Sequence, residues 1–376
     1  MSNRRLLTGL GLLSVAILLV SGNKAFGQDN TSSQSWSTTS QHSDASGTEN
    51  STRAQETHTE SNGHAVDKRS VQSLGPDGRY IPYSDVETES VRVNDTTVRT
   101  TQRTYGRDAD GNRTLVQQTQ EESRTLADGQ RKLVRTTSNP DSNGALQVVR
   151  QEVVDSKQVS PGIRDTKTTV LSPDPNGGFS ATVQVEEREK QTGPGTVEFK
   201  KSTSLNDGSG HWNLSEIRQG TVKQDGAQGT KEESVLRPDS NGNFSVVERT
   251  VSKQSAQPGE TRDTTETYST NIPGQAGDDS LQLVNRASTV QRTTASGQKS
   301  TTRQIEQTNP ADPGAGLHVT QEAIDIVKPG GNGTVEQKTV LATDFNGQTS
   351  VVSVDFANSN KPAAVQVDTK SASKPK

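Results

Sequence analysis

The chain is predicted to be all-β: a repetitive antiparallel β-meander of long hairpins, period about 33 residues, forming an elongated single-layer or loosely curled sheet. Three observations predict it. A two-beat turn signal recurs at fixed spacing, β-branched polar residues fill the intervals, and apolar side chains are too few for a closed core. Self-similarity at a fixed period marks an array of supersecondary units rather than one compact globule.

The register follows from the second residue after each turn glycine: Tyr80, Arg113, Leu146, Phe179, Trp212, Phe244, Leu281, Leu317 and Thr349. Successive steps are 33, 33, 33, 33, 32, 37, 36 and 32 residues. The turns before these positions include Asp141-Ser142-Asn143-Gly144 and Asp239-Ser240-Asn241-Gly242. A second beat falls midway, as at Pro161-Gly162 and Pro258-Gly259. Asp and Asn start turns through side-chain to backbone bonds, and glycine supplies the positive φ a hairpin needs. Two turns per period make the unit a hairpin. Between turns, stretches such as Gln184-Val185-Glu186-Glu187-Arg188 favour a pleated strand and lack 3.6-residue periodicity.

Composition sets the class. Of 376 residues, 26% are hydrophobic and 3% aromatic, the net charge is -4 and mean hydropathy is -0.85. A single packed core over the repeats would need far more apolar residues, whereas ladder bonds and cross-strand pairs can hold a thin sheet. A mostly disordered chain is the competing reading of the same composition. The apolar residues that exist alternate after the Asp-x-Asn-Gly turns, as in Phe179, Ala181, Val183 and Val185. They form a stripe near one class of turn. A sparser second face is assigned Val149, Val153, Val247, Val251, Ile324 and Ile326.

The flanks read differently. Arg4-Arg5, the apolar run Leu6 to Val20 and the small residues around Ala25-Phe26-Gly27 resemble a secretory signal peptide cleaved between Gly27 and Gln28. Residues 28–69 are Ser/Thr/Gln-rich and are expected to be a disordered tether. The repeat domain is assigned to 70–356, and 357–376 to a flexible basic tail. With no Cys anywhere, disulfides, thiolate metal sites and lipoprotein anchoring are excluded.

Candidate chemistries are weighed on this frame. Asp108-Ala109-Asp110-Gly111-Asn112 offers oxygen ligands at alternate positions, but the bidentate Glu of a calcium loop is missing, and turn chemistry accounts for the string. Tyr80, Phe179, Trp212 and Phe244 hold equivalent positions. They could form an aromatic ladder stacking on sugar rings, or simply belong to the apolar stripe. Glu186, Glu187, Glu189, Glu232 and Glu233 are plentiful without an implied pocket, so no catalytic, cofactor or metal residue is assigned. A sequence pI near 5.8 with interspersed charges gives no basic patch for nucleic acid. A transmembrane barrel is disfavoured, because strands such as 261–266 are polar on both faces and aromatics are too few for girdles. The Asp-Ala-Asp-Gly-Asn string resembles turns of secreted tyrosine-aspartate repeat proteins, without their Tyr-Asp pair and shorter period. The polar-on-both-faces pattern is similar to the free-standing single-layer sheet of a spirochaete surface protein.

The resulting expectation is an exported, secreted or periplasmic, non-enzymatic protein with a structural or adhesive role at a cell surface or in a matrix. The alternative is a secreted glycan-binding module. The partners expected are polysaccharide or other surface proteins, with no nucleic acid and no membrane span after leader removal.

Overall fold

The computed structural model describes residues 32–360, except 45, 47–48, 271–279, 310–311, 332 and 345, together with 363–364. The leader assigned to 1–27, its cleavage point at Gly27 and Gln28, and most of the tail lie outside the described residues.

Twenty long strands follow one another. The first ten are β1 (Ser32–Asp44), β2 (Glu49–Ser61), β3 (His64–Leu74), β4 (Tyr80–Asn94), β5 (Thr97–Arg107), β6 (Arg113–Thr125), β7 (Arg131–Pro140), β8 (Leu146–Ser160), β9 (Ile163–Asp174) and β10 (Gly178–Gly193). The second ten are β11 (Thr196–Asn206), β12 (Trp212–Asp225), β13 (Gln228–Pro238), β14 (Phe244–Gln257), β15 (Glu260–Ser269), β16 (Gln282–Thr293), β17 (Lys299–Thr308), β18 (Leu317–Gly330), β19 (Gly333–Thr343) and β20 (Thr349–Asn360). A two-residue strand, β21 (Ala363–Ala364), ends the sheet. Each long strand pairs antiparallel with its successor, as the hairpin repeat predicts.

Two expectations are corrected. The sheet is neither open nor elongated: β20 pairs with β1, from Thr38↔Ser359 to Asp44↔Ser353, and closes a barrel. β21 adds Gln34↔Ala364 and Ser35↔Ala363. Closure removes the two unpaired edges that a single-layer meander would expose to other chains. The segment 28–69, read as a disordered tether, instead supplies β1, β2 and the first part of β3 from Ser32 onward. Composition misled here because Ser, Thr and Gln suit a strand wetted on both faces as well as they suit a coil.

The Asp-x-Asn-Gly turns all lie on one rim, the Asx rim, and the second-beat turns lie on the opposite rim. Turn chemistry recurs from hairpin to hairpin. Asp141 Oδ1 accepts the backbone N–H of Asn143 at 2.8 Å and of Ala145 at 3.0 Å, and Asp239 does the same for Asn241 and Asn243. Gly144 sits at φ 80 in that turn, where L side chains are strained.

One further feature repeats. In every strand that leaves the Asx rim from β4 onward, the residue three places after the phased position is skipped by the ladder. The skipped residues are Tyr83, Val116, Val149, Thr182, Ser215, Val247, Val284, Thr320 and Val352. These β-bulges each reverse the side-chain parity of the strand. The second face is therefore corrected. Val153 and Val251 lie beyond a bulge and share the face of Leu146 and Phe244, as the unbroken pairings Val134↔Val153 and Glu232↔Val251 require. Where the bulged residue is Ser or Thr, its hydroxyl donates to a carbonyl of the preceding strand: Ser215 Oγ to Thr203 O at 3.0 Å, Thr320 Oγ1 to Ile305 O at 3.2 Å and Thr182 Oγ1 to Val170 O at 3.3 Å.

Register and handedness identify the outer wall. Moving along the ring, Cα partners climb from Asn94 at the second-beat end of β4 through Thr97, Arg124, Lys132, Asp155, Lys167, Glu186, Ser202, Ile217 and Leu236 to Val246, near the Asx end of β14. Backbone bonds such as Gln191 N–H to Gly162 O fix which parity faces the preceding strand. Right-handed strand twist is then compatible with one rolling sense only, which puts Glu186, Arg188 and Lys190 outside and Glu187 and Glu189 inside. Exposure agrees: on β10 the first three are exposed and the last two half-buried.

Candidate functional site: the lumen

Closure makes the interior of the ring the principal enclosed space. Twenty strands at ~4.8 Å spacing and a tilt of about 40° give a barrel roughly 40 Å across, backbone to backbone. Side chains reduce this to roughly 25 Å of free width, in the range where barrels hold water rather than a packed core. Burial agrees. Val235, at 2% exposed, is the one buried hydrophobic side chain among the described residues. Sheet packed on sheet would bury many.

The inner wall is polar, and its charges are arranged as cross-strand neighbours. Glu121, Arg135 and Glu152 stand opposite one another on β6, β7 and β8. Arg135 donates to Glu121 at 2.7 Å and to Glu152 at 3.1 Å. On β12 and β13, Arg218 reaches Glu216 at 2.6 Å and Glu233 at 3.1 Å, and Lys231 meets Glu233 at 2.7 Å. At the seam, Asp325, Lys338, Asp355 and His42 form one row across β18, β19, β20 and β1. His42 Nδ1 and Asp355 Oδ1 lie 2.5 Å apart across the closing ladder. Burial, reinforced by Asp325 and Asp355, raises the carboxyl of nearby Glu336 above its ordinary pKa against the pull of Lys338.

The outer wall is built the same way. Glu266, Arg286 and Glu306 form a straight triplet with contacts of 3.0 and 3.2 Å. Arg188 binds Asp165 in a two-pronged pair at 2.8 Å each. The carboxylates singled out in the sequence fall into this scheme: Glu186 faces Lys167 at 3.7 Å, Glu189 faces Arg164 at 3.8 Å and Glu232 faces Arg249 at 3.1 Å. They serve as ladder partners spread over both walls, with no convergent pair.

The four aromatics are placed at one height, on the outer wall beside the Asx rim. Phe179 is 43% and Trp212 38% exposed. Tyr80 is held away from β10–β14: the Arg53 guanidinium stacks on its ring at 4.4 Å and its hydroxyl meets Ser51 Oγ at 2.6 Å. With Leu146, Leu214 and Val246 they make a collar around a convex rim rather than a flat platform. Sequence reasoning found this stripe. It missed the lumen and the seam, which depend on the pairing of β1 with β20 and leave no local mark in the sequence.

Comparison with known proteins bears this out at the level of fold. No protein-family model matches the chain, and no curated protein matches it. Among solved structures, the siderophore receptor PirA from Acinetobacter baumannii is similar over 90% of this chain and 81% of its own, with 6% identity and a TM-score of 0.52. OccK5 (OpdH) from Pseudomonas aeruginosa is matched over 89% of this chain and 98% of its own at 8% identity, with a TM-score of 0.45. The first likeness supports a large closed barrel. Together with the β1–β20 seam it overturns the structural or adhesive reading and the glycan-binding alternative, and with them the expected polysaccharide and surface-protein partners and the fully secreted location.

Proposed function

We propose that the chain is an exported barrel of the cell envelope that acts, without catalysis, as an aqueous conduit for polar solutes. The observation that carries this reading is an unfilled, polar lumen inside a fully closed ladder. The leader-like residues 1–27 support export. Barrels of this size in receptors and pores are built to pass or admit solutes, and a siderophore receptor shares the fold.

The outer wall limits how the conduit sits. Arg103, Lys167, Arg188, Lys200, Arg249 and Arg286 lie on it. Each Arg or Lys facing lipid at mid-bilayer costs about 2–4 kcal/mol. The apolar collar covers only one end of the wall, whereas a spanning barrel needs an apolar band of roughly 25 Å. The conduit is therefore wetted on both walls over most of its height.

The test uses the absence of native cysteine. Gln102 lies mid-strand on the lumenal face of β5, opposite Thr88 and Thr119. In a Gln102→Cys variant of the full chain, hydrophilic maleimides narrower than roughly 25 Å should label the thiol, and wider ones should not. Labelling without any size limit, or none at all, would defeat the conduit.

A further inference from the structure

The two rims differ in charge. Among the described residues, the Asx rim carries Asp108, Asp141, Asp174, Asp207, Asp239 and Asp344, because the same acid starts six of its turns. Arg107, Arg113 and Arg237 near that rim are engaged by wall carboxylates Asp85, Glu87 and Glu216, at 2.7–3.0 Å for their nearest contacts. The opposite rim is of the other sign. Arg92, Arg131, Lys132, Lys223, Lys299 and Lys328 lie within three residues of its turns and are exposed, and none makes an ion pair with a described carboxylate. Its acids within the same distance, Glu60, Asp95, Asp128, Asp165, Glu198, Asp225 and Glu260, are outnumbered by Arg and Lys, which add Arg99, Arg124, Arg164, Arg262 and Arg292 to those six.

These rims are circles of equal width on one axis. Neither rim can satisfy its own charges across a barrel height of several Debye lengths. A second copy offers the complementary circle. We infer that the acidic Asx rim of one copy docks on the basic rim of the next, so that barrels stack head to tail on a common axis.

Such an interface is heterologous and does not close on itself, so it builds open rows rather than a fixed dimer. It joins lumen to lumen, but it stands whether or not solutes pass through. A second copy matches the acidic circle in both radius and sign.

Sedimentation velocity on the full chain tests the inference. Concentration-dependent species larger than one barrel are expected at about 25 mM salt, collapsing to single barrels at about 500 mM as screening shortens the range of the rim fields. The triple variant Arg131→Glu/Lys132→Glu/Lys299→Glu should sediment as single barrels at both salts, and so should a variant with Asp108, Asp141, Asp174, Asp207, Asp239 and Asp344 all changed to Asn, which removes the six rim charges and keeps the acceptor oxygen of each turn. Mixed one to one, the two variants present opposite signs again and should co-assemble at low salt. Single barrels for the native chain at both salts would overturn the inference. So would assemblies that ignore salt, or failure of two folded variants to co-assemble. If a variant fails to fold, the salt dependence of the native chain decides alone.

Discussion

At Asp141 a single carboxylate oxygen accepts two backbone N–H groups, and this one contact fixes both the turn and a negative charge on the rim. Backbone bonds of this kind hold the carboxyls of Asp141 and Asp239 below the ordinary value of 3.8, the bonds from Asn143 and from Asn243 contributing most. A depressed folded-state pKa means that the stabilisation is whole above the ordinary value and is lost as pH falls through the folded value. Thermal melts between pH 7 and pH 2 should therefore drop below about pH 4, and an Asp141→Asn/Asp239→Asn variant, which keeps the acceptor oxygen, should show a shallower drop. Glu336 has the opposite sign. Its raised pKa makes the neutral acid favourable in the folded barrel, a contribution present below 4.5 and lost as pH rises through the folded value. Glu336→Gln should therefore melt higher than the native chain at pH 7 and level with it near pH 3. At the bulges, Ser215→Ala removes the bond to Thr203 O and should cost about 0.5–1.5 kcal/mol in urea unfolding.

The hairpin is the element that the sequence made legible. Turn spacing predicted strand order, turn class and antiparallel pairing, because Asp, Asn and Gly act through local chemistry that needs no tertiary partner. The bulge was not legible. Tyr83, Val149 and Ser215 look like any strand residue, and period-two reading across them assigned Val153 and Val251 to the wrong face. A bulge shows itself only in the partner strand's register. Deleting Val149 alone should therefore be far more disruptive than its size suggests. It would turn Leu146 and Val148 toward the lumen, and a lower melting temperature with altered register in hydrogen exchange is the expected outcome. Deleting residues 147–179 removes two whole strands and keeps parity. It should leave a folded barrel of eighteen strands with a radius about a tenth smaller by small-angle scattering.

At the scale of the molecule, closure decides everything the repeat alone could not. The hairpins and their Ser/Thr-rich first members are equally compatible with an open ribbon or a ring, because neither face carries enough apolar surface to specify a core. What selects the ring is β1, whose residues Thr38, His42 and Ser37 meet Ser359, Asp355 and Asn360. Those residues belong to a segment whose composition reads as coil, so the seam was the least visible part of the fold. The β1 side of the seam ladder, Thr38 to Asp44, is wholly polar, which makes the seam the part of the barrel that most needs direct proof.

The proof is a cross-link across the seam. Ser40 and Ala357 are Cα partners on β1 and β20, 317 positions apart in the sequence. With no native cysteine to interfere, a Ser40→Cys/Ala357→Cys chain brings two thiols within disulfide reach only if the sheet is closed. Mild oxidation of the dilute protein should give an intrachain disulfide in high yield, seen as faster migration of a monomer on non-reducing gels and reversed by reductant. Free thiols after oxidation, or disulfide-linked dimers in place of the monomer, would contradict the barrel and return the chain to an open sheet.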